Sequence, residues 1–173
     1  MSLFKNCSDY EYKFKHRSQS AHYRFSIFKK SVLFLLKTFL FMQITASIAS
    51  KLNKLETTVN TNGTSKVISI RPKSNGYGSS INGGELLLLS LATCFCNDIY
   101  REAAKRNLNV TEVTVDVDAT FGGEGEAGSD FTYQVNVISD APTEAIEALI
   151  IHTDKVAEVH NTLRKGLNVT LKR

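Results

Sequence analysis

The segment that most limits how this chain can fold is its longest helical signal, residues 85–107, which contains neither Pro nor internal Gly. Its two halves differ. Leu86, Leu87, Leu88, Leu89, Leu91, Ala92, Cys94 and Phe95 are apolar nearly all round a helix, whereas Asp98, Arg101, Glu102, Lys105 and Arg106 leave only Ile99 and Ala103 for an apolar stripe. A helix that is apolar on every side must be buried on every side. One sheet of a small domain covers one face of such a helix and a flank, so the remaining faces call for another helix or a second subunit. The pattern predicts a homodimer that shares this helix.

Strand signals stand on both sides of it. From Gln43 the chain alternates, Ile44, Ala46 and Ile48 against Thr45, Ser47 and Ala49, as a half-buried strand does. Residues 55–59 and the run Val67, Ser69, Ile70 read as two further strands joined across Asn62-Gly63, a pair that tolerates positive φ at both turn positions. Residues 71–82 are a loop. Val113, Val115 and Val117 alternate with Thr114, Asp116 and Asp118, and residues 131–138 alternate back after a Gly-rich acidic tip. Asp140 and Pro142 suit the start of a helix striped by Ala145, Ile146, Leu149 and Ile150. A break near Thr153-Asp154 then starts a shorter helix, Gly166 stops it, and residues 167–171 read as a last strand. The expected order is βββαββααβ, an α+β fold.

Composition settles which part of the chain carries this fold. With 42% apolar and 22% charged residues over 173, it suits one globular domain. The net charge of +4 belongs to its beginning: residues 1–41 hold eight Lys/Arg against two Asp/Glu, and the remainder sits at −2. A domain of that charge offers no large positive field to a phosphate backbone, so no nucleic-acid partner is expected. Residues 1–41 read as an N-terminal extension, disordered or loosely helical, arising from a mis-assigned start at Met1 or serving as a targeting segment, and residues 42–173 as the folded domain. The apolar run 32–42 is eleven residues long and interrupted by Lys37, too short to span a membrane.

Three cysteines, Cys7, Cys94 and Cys96, are too few and too oddly spaced for a disulfide framework or a zinc site, so a reducing, cytoplasmic setting without metal or cofactor is expected. Residues i and i+2 of a helix project about 200° apart, so Cys94 and Cys96 cannot bridge each other inside an intact helix. His152 and His160 lack the i, i+4 spacing of a metal pair, and His160 reads as a polar contact rather than a base for Cys94.

The stretch Asn82-Gly83-Gly84-Glu85-Leu86 onward to Cys96, followed by Asn97-Asp98-Ile99-Tyr100-Arg101-Glu102-Ala103, resembles the central-helix motif of the OsmC family, which includes the organic hydroperoxide resistance (Ohr) proteins. Val156-Ala157-Glu158-Val159-His160-Asn161-Thr162-Leu163 resembles the family's second helical motif. The resemblance covers residues 42–173. It implies an intertwined α+β homodimer with the long helices at its centre and a two-cysteine reduction of hydroperoxides. In such a reduction a thiolate attacks the O–O bond, becomes a sulfenic acid and condenses with a second thiol. Cys94 matches the attacking cysteine. The Cys-Pro-Val position of the second cysteine is here Ala157, Glu158 and Val159. Where the Ohr branch places an arginine, between the first two strands, this chain has Lys51 and Lys54, with Arg71 at the end of the third strand. The branch's glutamate falls opposite Gly84, with Glu85 one place later.

A lone thiol with a pKa near 8.5 is only a few per cent thiolate at neutral pH and needs a cation or a helix dipole to activate it. Cys94 lies more than two turns into its helix, beyond reach of the dipole, so a cation such as Arg71, Lys51 or Lys54 would have to serve. Two functions follow. One is a one-cysteine thiol peroxidase of oxidative-stress defence, with Cys94 as nucleophile, Arg71 and Glu85 as its partners, an organic hydroperoxide as substrate and an external thiol reductant. The other is a non-catalytic dimer that binds a small hydrophobic ligand at its interface.

Overall fold

The computed structural model describes residues 41–173; of the N-terminal extension expected over residues 1–41, all but Phe41 lies outside them. The chain divides between Ile70 and Arg71 into two compact units. In the first, β1 (Ile44–Lys51), β2 (Lys54–Thr61) and β3 (Thr64–Lys66) form an antiparallel sheet in the order β1-β2-β3. Asn62 (φ 49°) and Gly63 (φ 85°) both take positive φ in the two-residue turn between β2 and β3, as the Asn-Gly pair foretold. The third strand is displaced, because pairing ends at Lys66, and the Ile68 carbonyl instead accepts a hydrogen bond from the Thr57 hydroxyl. The alternation of β1 does not lead to burial within this unit. Ile44 and Ile48 are 59% and 58% exposed, since among the described residues of this unit no element covers either face of the sheet.

The second unit carries α1 (Gly83–Lys105), β4 (Val110–Thr120), β5 (Ser129–Ser139), α2 (Thr143–Val156) and α3 (Glu158–Arg164). A capping box starts α1: the Asn82 side chain accepts from the Glu85 N–H at 2.9 Å, and the Asn82 N–H donates to the Glu85 carboxylate at 2.6 Å. At the other end Asn107 turns left-handed (φ 54°) and the Leu108 N–H closes on the Ala103 carbonyl at 3.0 Å.

β4 and β5 pair antiparallel with Val113 opposite Val137, Val115 opposite Val135 and Val117 opposite Tyr133. All six are half-buried on one face, and Thr114, Asp116 and Asp118 stay exposed on the other, as the period-two pattern requires. That valine face packs against Phe95, Ile99 and Ala103 of α1 and Leu149 of α2. Phe95, Ile99 and Leu149 are fully buried, each contributing about 1.5–3 kcal/mol of apolar transfer.

Four local expectations change. Thr143–Val156 begins after Pro142 without a side-chain cap, because Asp140 instead accepts from Asn109 Nδ2 at 3.3 Å. The break after it comes at Ala157 (φ −66°, ψ 110°), not at Thr153-Asp154; the Thr153 hydroxyl, donating to the Leu149 carbonyl at 2.9 Å, stays inside the helical ladder. Residues 167–171 form no strand: they find no pairing edge among the described residues, and Val169 is fully exposed. The observed order is therefore βββαββαα. Lastly, the apolar first half of α1 is not buried all round in the single chain. Leu91 is buried, Leu87 and Leu88 are half-buried, but Leu89 is 56% exposed.

Candidate functional site

Cys94 sits where the apolar half of α1 gives way to its charged half. One turn on, Asp98 presents a carboxylate to it, because i and i+4 share a helix face, and the thiol donates to Asp98 Oδ2 at 3.5 Å. The kink at Ala157 brings the first residue of α3 to the same place, with Glu158 Oε2 4.0 Å from the sulfur. Arg101, one turn beyond Asp98, holds these acids together: its guanidinium lies 2.7 Å from Asp98, 3.2 Å from Glu158 and 3.0 Å from Glu102. Glu102, itself buried, also takes Lys105 at 2.7 Å and His152 at 3.2 Å.

The electrostatics of this cluster disfavour a thiolate. Burial raises the Cys94 pKa; a hydrogen bond from the Val159 backbone lowers it, and the charges of Asp98 and Glu158 raise it again. Burial also raises Asp98, helped by Glu158 and opposed by Arg101. At Glu158 burial acts upward too, but its own backbone N–H and the charge of Arg101 outweigh it and the carboxyl is held low. One guanidinium shared among three carboxylates leaves little positive charge for sulfur. The donor atoms of Cys94, Asp98 and Glu158 lie within 4.8 Å of one another, a set that could hold a cation, yet Arg101 is already paired with both acids.

The residues expected to serve Cys94 stand elsewhere. Glu85 is the third residue of α1 and closes its capping box, nine residues before Cys94 and so about 13 Å away along the axis at 1.5 Å per residue. In the same chain it cannot touch the thiol. Arg71 lies in the exposed loop ahead of α1, where its carbonyl accepts from the Ser80 N–H at 2.9 Å. At Gly84 a Cβ would stand 3.2 Å from the Phe121 ring, so a longer side chain there would have to displace that ring. Ala157, at the position of the resolving thiol, is fully buried in the core. Cys96 is a free, half-buried thiol two residues from Cys94. Of the cluster's real members, Asp98 and Arg101 were not expected as partners of Cys94, although their i+4 and i+7 spacing from it could have pointed to them. Glu158, 64 residues away, carried no local signal.

Beside the core lies a cavity of about 510 Å³ between α1, the β4–β5 hairpin and α3, walled chiefly by Leu91, Val117, Phe131, Tyr133, His160 and Leu163, with Arg164 at its lining too. Such a volume and such an apolar wall are typical of small-molecule sites. Tyr133 turns its hydroxyl outward to Asp154, which also takes Arg164 at 2.5 Å. Burial and the Asp154 contact push the phenol up to about 12. His160 was expected to make a polar contact. Instead its ring meets Tyr133 and Phe95 edge-on at 4.8 and 5.3 Å, and neither ring nitrogen has a hydrogen-bond partner.

No helix among the described residues is long and apolar enough to cross a membrane. Comparison with curated proteins finds no match. Among solved structures the chain is similar to the OsmC-like protein of Mycoplasma pneumoniae, at 21% identity over 72% of this chain and 87% of that one, with a TM-score of 0.49. It is similar also to an OsmC-like protein of unknown function from Vibrio cholerae (14% identity, 69% and 92% covered, TM-score 0.49). A third is the organic hydroperoxide resistance protein OsmC of Legionella pneumophila (22%, 75% and 94%, TM-score 0.44). The family described as OsmC-like protein matches residues 76–172, which span α1 with its Cys94 motif, the hairpin and both later helices. By that match over more than half its length, the chain belongs to the OsmC-like protein family.

Proposed function

We propose that this OsmC-family chain is a homodimer that binds a small hydrophobic molecule in the cavity beside α1, with Cys94 held as a neutral thiol. The observation that carries the reading is the placement of Cys94 between two carboxylates whose only cation, among the described residues, is already shared. A thiol so placed is the opposite of an activated nucleophile. The cavity supplies what a binding protein needs, an apolar wall and a volume of about 510 Å³. The dimer is supported by α1, whose Leu86 and Leu89 remain exposed in one chain and call for cover. Sedimentation at micromolar concentration tests that part: single subunits would remove it.

A second reading, one-cysteine hydroperoxide reduction in the cytoplasm, has one observation in its favour: Cys94 is free and only half-buried. In that reaction the thiol proton would pass to Asp98 and the sulfur would attack the hydroperoxide. The O–O bond breaks, an alcohol leaves, and an external dithiol reduces the sulfenic acid with release of water. Arg71 would be needed from a partner subunit to steady the thiolate, and Glu85 from the same source. The experiment is direct. The full chain and Cys94→Ser are mixed with cumene hydroperoxide and dithiothreitol; equal consumption supports the binding reading, and loss confined to the variant overturns it in favour of the peroxidase.

A further inference from the structure

His160 stands out among the groups that line the cavity. It is 5% exposed, and both Nδ1 and Nε2 are closed to solvent without a hydrogen-bond partner. The charged groups near it do not supply one: Asp154 is taken by Tyr133 and Arg164, and Arg164 also donates to the Asp154 carbonyl and the Asn161 side chain. A buried donor and acceptor left unpaired cost stability that an apolar ring of the same shape would not. The imidazole is held neutral, because burial and the charge of Arg164 lower its pKa against the weaker pull of Asp154. It therefore carries one N–H donor and one bare nitrogen acceptor. A half-turn about Cβ–Cγ exchanges ring nitrogens with ring carbons, so the ring has two orientations in which to offer a nitrogen to the cavity it lines.

Resting on the cavity reading above, we infer that His160 is the polar anchor of this site and that the ligand is a neutral amphipathic molecule, an apolar body bearing one hydroxyl-type group that pairs with the imidazole. A hydroxyl both donates and accepts, so it serves either tautomer of a neutral ring. A carboxylate can only accept and would require the buried ring to take up a proton, while Arg164, which also lines the cavity, is already held by Asp154 and Asn161. A hydrocarbon fills the volume and leaves His160 unpaired.

Three probes of one shape separate these cases: benzyl alcohol, toluene and benzoate, titrated at pH 7.5 into the full chain and into His160→Phe, which keeps an aromatic ring. Wild type should bind benzyl alcohol about three- to tenfold more tightly than the variant, the range expected of one net hydrogen bond. Toluene should bind both proteins alike, which also shows that the variant keeps its cavity, and benzoate should bind wild type more weakly than the alcohol. In wild type the His160 ring ¹⁵N resonances should move with benzyl alcohol and not with toluene. Equal affinity of benzyl alcohol for both proteins, or ring resonances that ignore it, overturns the role of His160 while leaving the cavity reading intact. Failure of all three probes to bind overturns both.

Discussion

The charge of Glu158 can be removed without touching Cys94, and the thiol should respond. Its carboxylate oxygen lies 4.0 Å from the sulfur, and its side chain is 66% exposed, so water screens the pair. At that distance and in that medium two unit charges repel by about 1 kcal/mol. Glu158 is ionised at neutral pH, since its backbone N–H and Arg101 hold its carboxyl low against a partial loss of solvation. Glu158→Gln should therefore raise the thiolate fraction of Cys94 about fivefold at any pH well below the thiol's own titration. The variant also relieves Arg101 of one of its three carboxylates, which acts in the same direction. Alkylation by iodoacetamide at pH 7, followed by intact mass in a Cys7→Ser, Cys96→Ser background, reads the thiolate directly. The rate should rise about fivefold in Glu158→Gln and fall in Arg101→Gln, where the neighbouring acids lose their counter-charge. The gain should shrink as pH drops and Glu158 of the reference protein becomes protonated. An unchanged or slower rate in Glu158→Gln would refute the placement of that carboxylate against the sulfur.

Acid should weaken the fold through Glu102, which Lys105 and Arg101 hold at about 2, below its ordinary 4.5. Its pairs stabilise the native state above pH 4.5, and that contribution is lost as pH falls toward 2, so urea midpoints of Glu102→Gln should flatten over this window. Parallel curves would show the network to be idle. Leu149→Ala, at a fully buried position against α1, should cost about 2–5 kcal/mol in urea unfolding. Asn82→Ala removes the capping box of α1 and should cost about 1 kcal/mol; no change would mean that the helix starts elsewhere.

Local patterns were legible where one residue's neighbours are near in sequence. Asn62-Gly63, the valine alternation of residues 113–117 and the Ile99, Ala103 stripe all lead to the turn, the hairpin face and the buried helix edge seen here. The last strand was misread because alternation at Leu167, Val169 and Leu171 signals strand propensity without saying whether an edge exists to pair with. Asp140 was misread as a cap because its other partner, Asn109, lies 31 residues away.

From the order of residues alone one could tell the family, the α+β class and the central helix that carries Cys94, since each depends on spacing within a motif. The environment of that thiol could not be told. Glu158 reaches Cys94 only because the chain kinks at Ala157, and His160 loses its partners only because Phe95 and Tyr133 close around it. Charge and solvation act through space over a few ångströms, so they were decided when distant segments met.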